Sequence, residues 1–236
     1  MKLNICDKQY DIETKVDNLL SALTFIKQNT DQSLSFRSGC RSGVCGSCAI
    51  TVNGVEKLAC KTTINDNDDI KPLKNSRIIK DLVVDNTNQE KFLKTSKAFL
   101  SSKNHEQISI EDEKKIDIES NCILCQSCFS ACPVYEVNKD FIAPFALIRA
   151  YRYINDKKES DKKTKIDALQ TNGVWSCTLC GNCNMVCPSH IDIKGGIMQL
   201  RNKSVQFGYT DPNITSFDGG LDFQNTTSFG FDPNGF

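Results

Sequence analysis

The chain contains 236 residues, with 29 Lys and Arg against 29 Asp and Glu, and it has 13 cysteines. Its length allows two modest domains, and its balanced charge gives no indication of a nucleic-acid or anionic-lipid partner. We expect neither a Sec signal peptide nor a transmembrane segment, because the N-terminus lacks a cationic region followed by an apolar one and no apolar run approaches ~18 residues. Cysteine-rich chains without an export signal use their thiols for metal rather than for disulfides.

The first half of the chain has the pattern of strands around one helix. Alternating segments at 2–6 and 9–13 predict a hairpin that turns at Asp7-Lys8, and Asn53-Gly54 predicts the turn of a second hairpin. Between them, Asp17 is in position to cap a helix. The predicted apolar face of this helix consists of Leu19, Leu20, Leu23 and Ile26. The order strand, strand, helix, loop, hairpin is that of a β-grasp ferredoxin, and we assign residues 1–88 to such a domain.

From about residue 89 the apolar period becomes helical, which predicts helices over 89–103, 143–155 and 162–171 and an α-helical domain over 89–205. The C-terminal tail, residues 206–236, is rich in Gly, Asn and Phe and contains no cysteine. Exposed phenylalanine rings reduce solubility, so we expect the tail to insert them into pockets on a partner. A disordered terminus is the alternative.

A first group of cysteines has the spacing C-x4-C-x2-C, with a fourth cysteine eleven residues later. Its members are Cys40, Cys45, Cys48 and Cys60. The front of this spacing is the plant-type signature of a two-iron, two-sulfur (2Fe-2S) cluster. Gly39, Gly43 and Gly46 let the loop turn backbone N–H groups toward the sulfurs. A zinc site is the alternative, but zinc requires no such glycine loop. The pattern predicts a 2Fe-2S cluster held by these four thiolates.

Two further groups, CILCQSCFSACP at 122–133 and CTLCGNCNMVCP at 177–188, both match C-x2-C-x2-C-x3-C-P. This is the bacterial four-iron (4Fe-4S) pattern, in which the fourth cysteine ligates the other cluster. One cubane cluster is predicted on Cys122, Cys125, Cys128 and Cys187. The other, the third cluster, is predicted on Cys132, Cys177, Cys180 and Cys183. The predicted fold is therefore α+β, with an N-terminal β-grasp 2Fe-2S ferredoxin domain before an α-helical, bacterial-ferredoxin-like domain that holds two cubane clusters.

A few chemically distinctive residues lie outside these groups or beside them. Cys6, in a predicted strand, is expected to be a buried structural thiol. His190 follows Cys187 closely, and either a hydrogen bond near a cluster or an ordinary structural role would explain it. Trp175 is in position to shield the third cluster, although packing alone explains it equally well.

A two-iron β-grasp domain followed by two four-cysteine motifs resembles the iron–sulfur subunit of succinate dehydrogenase and fumarate reductase. The resemblance covers roughly residues 1–205 and includes FRSGCRSGVCGSCA, IIKDLVVD and APFALIRAYRYINDKKES. It implies a non-catalytic relay subunit that passes electrons between an FAD-containing catalytic subunit and a membrane-side partner. The sequence also lacks GxGxxG and a plausible acid–base set, which fits a relay role.

Two departures from the usual family pattern favour a branch of that family. Most members have a non-cysteine where Cys180 stands, and their third cluster is 3Fe-4S; with Cys180 present we expect a full 4Fe-4S cluster. The positions that usually carry a tryptophan and a histidine near the quinone are Val137 and Thr178 here. Both departures resemble type E succinate dehydrogenases and methylmenaquinol:fumarate reductases, which implies a cysteine-rich, membrane-associated anchor subunit as partner.

Two other functions remain open at this stage. One is the relay subunit of another flavoprotein or heterodisulfide-reductase-like respiratory complex, although such subunits usually lack the front two-iron domain. The other is a redox sensor that acts alone. We expect a peripheral location on the cytoplasmic side of the membrane, with periplasmic co-export by a twin-arginine partner as the alternative.

Overall fold

The computed structural model describes residues 1–101 and 103–212. A sheet with one long helix precedes a set of helices, and each of the two parts has its own hydrophobic core. The strands are β1 (Lys2–Ile5), β2 (Lys8–Asp11), β3 (Ala49–Val52), β4 (Val55–Leu58), β5 (Asp68–Lys71), β6 (Ile78–Lys80) and β7 (Val83–Val84). The helices are α1 (Leu19–Asn29), α2 (Thr87–Thr95), α3 (Ile110–Lys114), α4 (Asp117–Ser120), α5 (Ser127–Ser130), α6 (Pro133–Val137), α7 (Pro144–Asn155), α8 (Lys162–Ala168), α9 (Asn182–Met185) and α10 (Ile193–Gln206). Most of the tail discussed above, from residue 213 onward, lies outside the described residues.

The first five strands form one mixed sheet in the order β2-β1-β5-β3-β4, in which β1 and β5 are parallel and the other neighbours antiparallel. Strands β6 and β7 form a separate two-stranded ribbon. The apolar side chains of α1 are buried in the first core, and they include all four of the predicted face. This packing leaves the long loop between α1 and β3 free to carry the first cysteines.

Two local predictions in the first half are wrong. The hairpin between β1 and β2 turns at Cys6-Asp7, where both residues have positive φ, rather than at Asp7-Lys8. A shift by one residue would have turned the buried Leu3 and Ile5 toward solvent, so core burial determines the register. The cap of α1 is Asn18 rather than Asp17, because the Asn18 side chain accepts a hydrogen bond from the Ser21 backbone N–H at 3.0 Å.

The second half is helical as predicted, but two predicted helices are shorter, and the one over 162–171 ends at Ala168. The helix predicted over 89–103 ends at Thr95. The following segment is held by Lys165 of α8, whose ammonium donates to the Lys97 and Phe99 carbonyls and to the Ser101 hydroxyl at 2.9 Å. These buried interactions replace the helical hydrogen bonds that residues after Thr95 would otherwise form.

The same lysine forms an ion pair with Glu159, with 3.0 Å between Nζ and Oε2, and both side chains are fully buried. Glu159 also accepts a hydrogen bond from the Ser101 backbone N–H at 2.8 Å. Burial would raise the pKa of Glu159, but the N–H groups of Ser101 and Asp161 and the Lys165 charge outweigh it and lower that pKa to about 2. The pair attaches the segment after α2 to the helical core.

The two parts of the molecule are joined at the second cysteine motif. The Ser130 hydroxyl of α5 donates to Glu56 Oε1 in β4 at 2.7 Å and accepts from the Lys74 backbone N–H at 2.8 Å. The Asn75 amide donates to the Phe129 carbonyl at 2.8 Å. These buried and half-buried contacts hold the second motif against the ferredoxin sheet.

Candidate iron–sulfur centres

The first cysteine group surrounds the loop that precedes β3. Cys40 and Cys45 are exposed, whereas Cys48 and Cys60 are buried beneath them. Three backbone N–H groups, those of Ser42, Val44 and Cys45, point at the Cys40 sulfur from 3.3 to 3.4 Å. Amides directed at one sulfur stabilise negative charge there, as a cluster thiolate requires.

Glycine is required in this loop for space as well as for conformation. A Cβ at Gly39 would lie 2.8 Å from the Cys45 sulfur, and Gly43 and Gly46 have positive φ. Hydrogen bonds from the Ser42 hydroxyl and from surrounding backbone N–H groups lower the pKa of the Cys40 thiol to about 5. Burial raises the pKa of Cys48 to about 11. The loop thus stabilises the thiolate of the exposed Cys40, whereas the buried Cys48 thiol needs a nearby cation to lose its proton.

The second predicted ligand set combines cysteines from both C-x2-C-x2-C-x3-C-P motifs. A single cavity is lined by four cysteines, Cys122, Cys125, Cys128 and Cys187, together with apolar side chains that include Phe145, Ile148, Ile191 and Ile193. Burial raises the pKa of Cys128 well above its usual value, and the neighbouring thiols, that of Cys187 among them, raise it further. The structure therefore places Cys187, the last cysteine of the motif at 177–188, beside the first three cysteines of the motif at 122–133.

The third predicted ligand set combines three cysteines of the motif at 177–188 with the last cysteine of the motif at 122–133. Burial raises the pKa of Cys183 to about 12, with further increases from Cys177, Cys180 and Cys132. Burial raises the pKa of Cys132, which belongs to the preceding motif, and the charges of Cys177 and Cys180 raise that pKa further. Cys180 is the exposed member of this set. Cys132 thus lies near the thiols of Cys177, Cys180 and Cys183, the grouping that an exchange of fourth cysteines requires.

The two motifs repeat one backbone conformation, and the sequence pattern alone did not reveal this. Leu124 and Leu179 have φ of 54° and 55°, and Gln126 and Gly181 are both left-handed residues before a short helix. The Leu179 backbone N–H points at the Cys177 sulfur from 3.4 Å. In the motif at 122–133, Gln126 has the left-handed conformation that Gly181 has in the motif at 177–188. The buried Gln126 is held there by a hydrogen bond from its side-chain amide to Gln89 at 3.3 Å.

The three sites follow one another in space. A Cβ at Gly46, in the first loop, would lie 2.7 Å from Cβ of Cys125 in the second site. Between the second and third sites, the Cys183 thiol lies close enough to Cys128 to raise the pKa of the latter. The first site thus approaches the second at Gly46 and Cys125, and the second and third sites lie next to each other where α5 packs against α9.

The chemistry of the donor sets fits iron–sulfur clusters. Among residues 1–101 and 103–212, no three Cys, His, Asp or Glu side chains are arranged around one metal ion. Cluster thiolates bind different irons and are spread around an inorganic core, so this spacing agrees with a cluster better than with a single zinc ion. Buried thiols with raised pKa values also need bound cationic iron in order to ionise together.

The other residues named from the sequence are not part of these groups. Cys6 is half-buried in the β1–β2 turn rather than buried in a strand. His190 is exposed, and its backbone N–H donates to the Cys187 carbonyl at 3.1 Å. Trp175 packs against the second core, and its indole N–H donates to Gln170 at 2.8 Å, which supports the packing explanation.

Two arginines beside the cubane motifs were missed from the sequence. Arg149 donates to the Cys122 carbonyl at 3.3 Å, and Arg201 donates to the Cys177 carbonyl at 2.6 Å. Both contacts join residues far apart in sequence, so no local pattern indicates them. The helices that carry them, α7 and α10, pack against each other.

Known proteins with similar sequences or structures agree with this organisation. The chain matches a 2Fe-2S iron-sulfur cluster binding domain over residues 4–91 and a 4Fe-4S dicluster domain over residues 119–191. It is 40% identical over 205 residues to the fumarate reductase iron-sulfur subunit of Escherichia coli O6:H1, covering 83% of each chain. It is 36% identical over 214 residues to the 8-methylmenaquinol:fumarate reductase iron-sulfur subunit of Wolinella succinogenes, covering 84% of this chain and 66% of that one.

A solved structure with the same fold is a chain of the Mycobacterium smegmatis Sdh1 complex in the apo form. Its TM-score is 0.76 at 22% identity, with 89% of this chain and 97% of that chain covered. Fold and sites thus define a ferredoxin-type protein with a two-iron domain followed by a dicluster domain, and the predicted fold class is confirmed. The chain belongs to the family of iron–sulfur subunits of fumarate reductase and succinate dehydrogenase, as the sequence resemblance predicted.

Proposed function

We propose that this chain conducts electrons through three clusters between an FAD-containing succinate or fumarate catalytic subunit and a cysteine-rich, membrane-associated anchor subunit. In this role it carries out no organic chemistry itself. Each cluster supplies one-electron redox chemistry, and the chain supplies the ligands, their spacing and their shielding. Its family membership supports the assignment to a succinate/fumarate oxidoreductase complex.

The proposed ligand sets are those predicted from the spacing. The 2Fe-2S cluster is held by Cys40, Cys45, Cys48 and Cys60. The first 4Fe-4S cluster is held by Cys122, Cys125, Cys128 and Cys187, and the third cluster, also 4Fe-4S, by Cys132, Cys177, Cys180 and Cys183. The grouping of the side chains supports all three sets.

The observation that carries the relay proposal is the pattern of exposure among the three sites. Cys40 and Cys45 of the first site and Cys180 of the third are exposed, whereas none of the four cysteines of the second site is exposed and Cys128 is buried. A relay needs accessible sites where electrons enter and leave, and a shielded site between them. A sensor that acts alone would not need two exposed ends.

The proposed branch rests on Cys180, Val137 and Thr178 rather than on overall identity. Cys180 lies with the other third-site thiols, which supports a complete cube there. Val137 is 91% exposed and Thr178 is exposed, so neither side chain is committed to the core of this chain. We propose that this surface meets an anchor subunit that differs from the usual quinone-binding one.

A peripheral location at the membrane follows from these partners, on the cytoplasmic side unless a twin-arginine partner exports the complex. None of the helices that the structure describes combines the length and apolar character needed to cross a bilayer.

Anaerobic purification of the tagged chain from native membranes tests the proposal. We expect a flavoprotein and a cysteine-rich subunit to co-purify, and the complex to interconvert succinate and fumarate. The isolated chain should accept electrons from a chemical reductant without converting either acid. Succinate or fumarate turnover by flavin-free chain would overturn the relay role, and co-purification with a different flavoprotein would support the alternative respiratory complex.

A further inference from the structure

In each four-cysteine motif of the second domain, the carbonyl of the first cysteine accepts a hydrogen bond from an arginine. Arg149 of α7 reaches Cys122, and Arg201 of α10 reaches Cys177. The two arginines are half-buried and occupy equivalent places in a repeated arrangement of motif and helix. An equivalent cation at both sites points to a shared task.

The surroundings of Arg201 fix its guanidinium group. Besides the Cys177 carbonyl it donates to the carbonyls of Val174 at 2.9 Å and Trp175 at 3.4 Å. Its Cζ also lies 5.6 Å from the centre of the Trp175 ring. Acceptors on one side and an aromatic face on the other leave this cation little freedom to move away from the third site.

The surroundings of Arg149 are less complete. Its Nε is buried with no hydrogen-bond partner among the described residues, and its Cζ lies 6.0 Å from the Tyr153 ring. Leaving a guanidinium donor buried and unpaired is unfavourable unless a nearby negative charge compensates for it. Within the described residues, the arginines that pair with carboxylates are Arg77 and Arg152.

The anion beside both arginines would be the cluster that each proposed ligand set holds. A four-iron cluster with four thiolates carries a net negative charge of about −2, and reduction adds one more electron. A fixed cation beside the ligand loop favours the reduced form more than the oxidised form, so it raises the reduction potential. We propose that Arg149 and Arg201 set the potentials of the second and third clusters respectively, an inference that rests on the ligand sets proposed above.

Charge-removing and charge-keeping variants of the full chain in its complex test this pairing. EPR-monitored redox titration should give a lower midpoint potential for the second cluster in Arg149→Gln, with the third cluster unchanged. Arg201→Gln should lower the midpoint of the third cluster, with the second unchanged. Arg149→Lys and Arg201→Lys should restore most of each shift, because lysine keeps the charge although it loses the planar guanidinium.

Arg152→Gln is the matched control, because Arg152 lies on the same helix as Arg149 but is paired with Asp156 at 2.7 Å. It should shift neither midpoint appreciably. Unchanged midpoints in the glutamine variants with full iron content, or equal shifts of both clusters in one variant, would overturn the proposal. If Arg201→Gln does not retain its cluster, the test rests on Arg201→Lys and on the two Arg149 variants. The proposal is contradicted if Arg149→Lys has the same midpoint as Arg149→Gln, or if the midpoint of Arg201→Lys is far from that of the unmodified chain. Iron content per chain tests the ligand sets separately.

Discussion

The backbone of Gly46 lies directly against Cys125, so that an added Cβ at Gly46 would be 2.7 Å from Cβ of Cys125 and 2.9 Å from its Cα. This contact joins the loop of the first site to the loop of the second. Electron transfer between neighbouring clusters depends steeply on their separation. The absence of a side chain at Gly46 is therefore what allows the two sites to approach so closely.

We expect Gly46→Ala to push these two loops apart and to slow electron transfer from the first cluster to the second. Gly54→Ala is the matched control, because Gly54 also has positive φ but an added Cβ there meets nothing within 4 Å. Both variants should lose about 1–2 kcal/mol from left-handed strain. Only Gly46→Ala should slow reduction of the second cluster in rapid-freeze EPR; equal rates in the two variants would contradict this expectation.

Replacing Cys180 with serine should convert the third cluster from four irons to three. Iron content should fall from about ten to about nine per chain, and a three-iron signal should appear in the oxidised protein. Cys6→Ser provides the control, since Cys6 lies in a hairpin turn apart from the cysteine groups. A full three-iron signal in the anaerobically purified, unmodified chain would refute the four-iron assignment.

Exchange of the fourth cysteines predicts crossed effects. Cys132 belongs to the motif at 122–133, but Cys132→Ser should perturb the third cluster. The Cys132 thiol lies close enough to Cys177 and Cys180 for their charges to raise its pKa. Cys187→Ser should conversely perturb the cluster on Cys122, Cys125 and Cys128. EPR of each variant distinguishes the two clusters. A variant that perturbs the cluster of its own motif and spares the other would disprove the crossed arrangement.

The cysteine groups could be recognised in the sequence because their spacing is local: most members of each proposed ligand set lie within twelve positions of each other. The contact of Gly46 with Cys125 and the two arginine–carbonyl contacts join distant segments, and they depend on how α7, α10 and the sheet pack. The cap at Asn18 and the turn at Cys6-Asp7 each differ from the prediction by one residue. Core burial sets the register of the hairpin, and Asn18 is the residue whose side chain accepts from the Ser21 backbone N–H. The end of α2 depends on Lys165, which is distant in sequence and has no local signal.

Lys165→Met should destabilise the helical domain, because it removes the cationic partner of the buried Glu159 carboxylate. Removing one partner of a buried ion pair costs about 3–5 kcal/mol, which corresponds to a decrease in Tm of about 10 °C for a protein of this size. Lys94→Met removes the exposed pair of Lys94 with Glu90 and should cost less than about 1 kcal/mol. Anaerobic thermal unfolding followed by circular dichroism compares the two variants, and similar Tm values would rule out a structural role for the buried pair.

Truncation after Tyr209 should leave all three clusters intact and loosen the complex. The variant keeps the hydrogen bond from the Tyr209 hydroxyl to Asp167 at 2.7 Å, which attaches the segment after α10 to α8. The removed residues include five phenylalanines, Phe217, Phe223, Phe229, Phe231 and Phe236. Native mass spectrometry and turnover measure the effect, and unchanged assembly would refute a docking role for the tail.

The position of Cys187 beside Cys122, Cys125 and Cys128 also sets the order in which the protein can be made. Synthesis proceeds from the N-terminus, and domains generally fold as units when they emerge from the ribosome. The first ferredoxin domain has all four of its thiols once Cys60 has emerged. With the ligand sets proposed above, the second domain has neither set complete until its last cysteines are translated, so its early motif waits, reduced and without iron, for the rest of that domain. Cells that make this protein therefore need to protect a nascent segment from oxidants and from wrong metals, and they need to deliver iron and sulfide to it late.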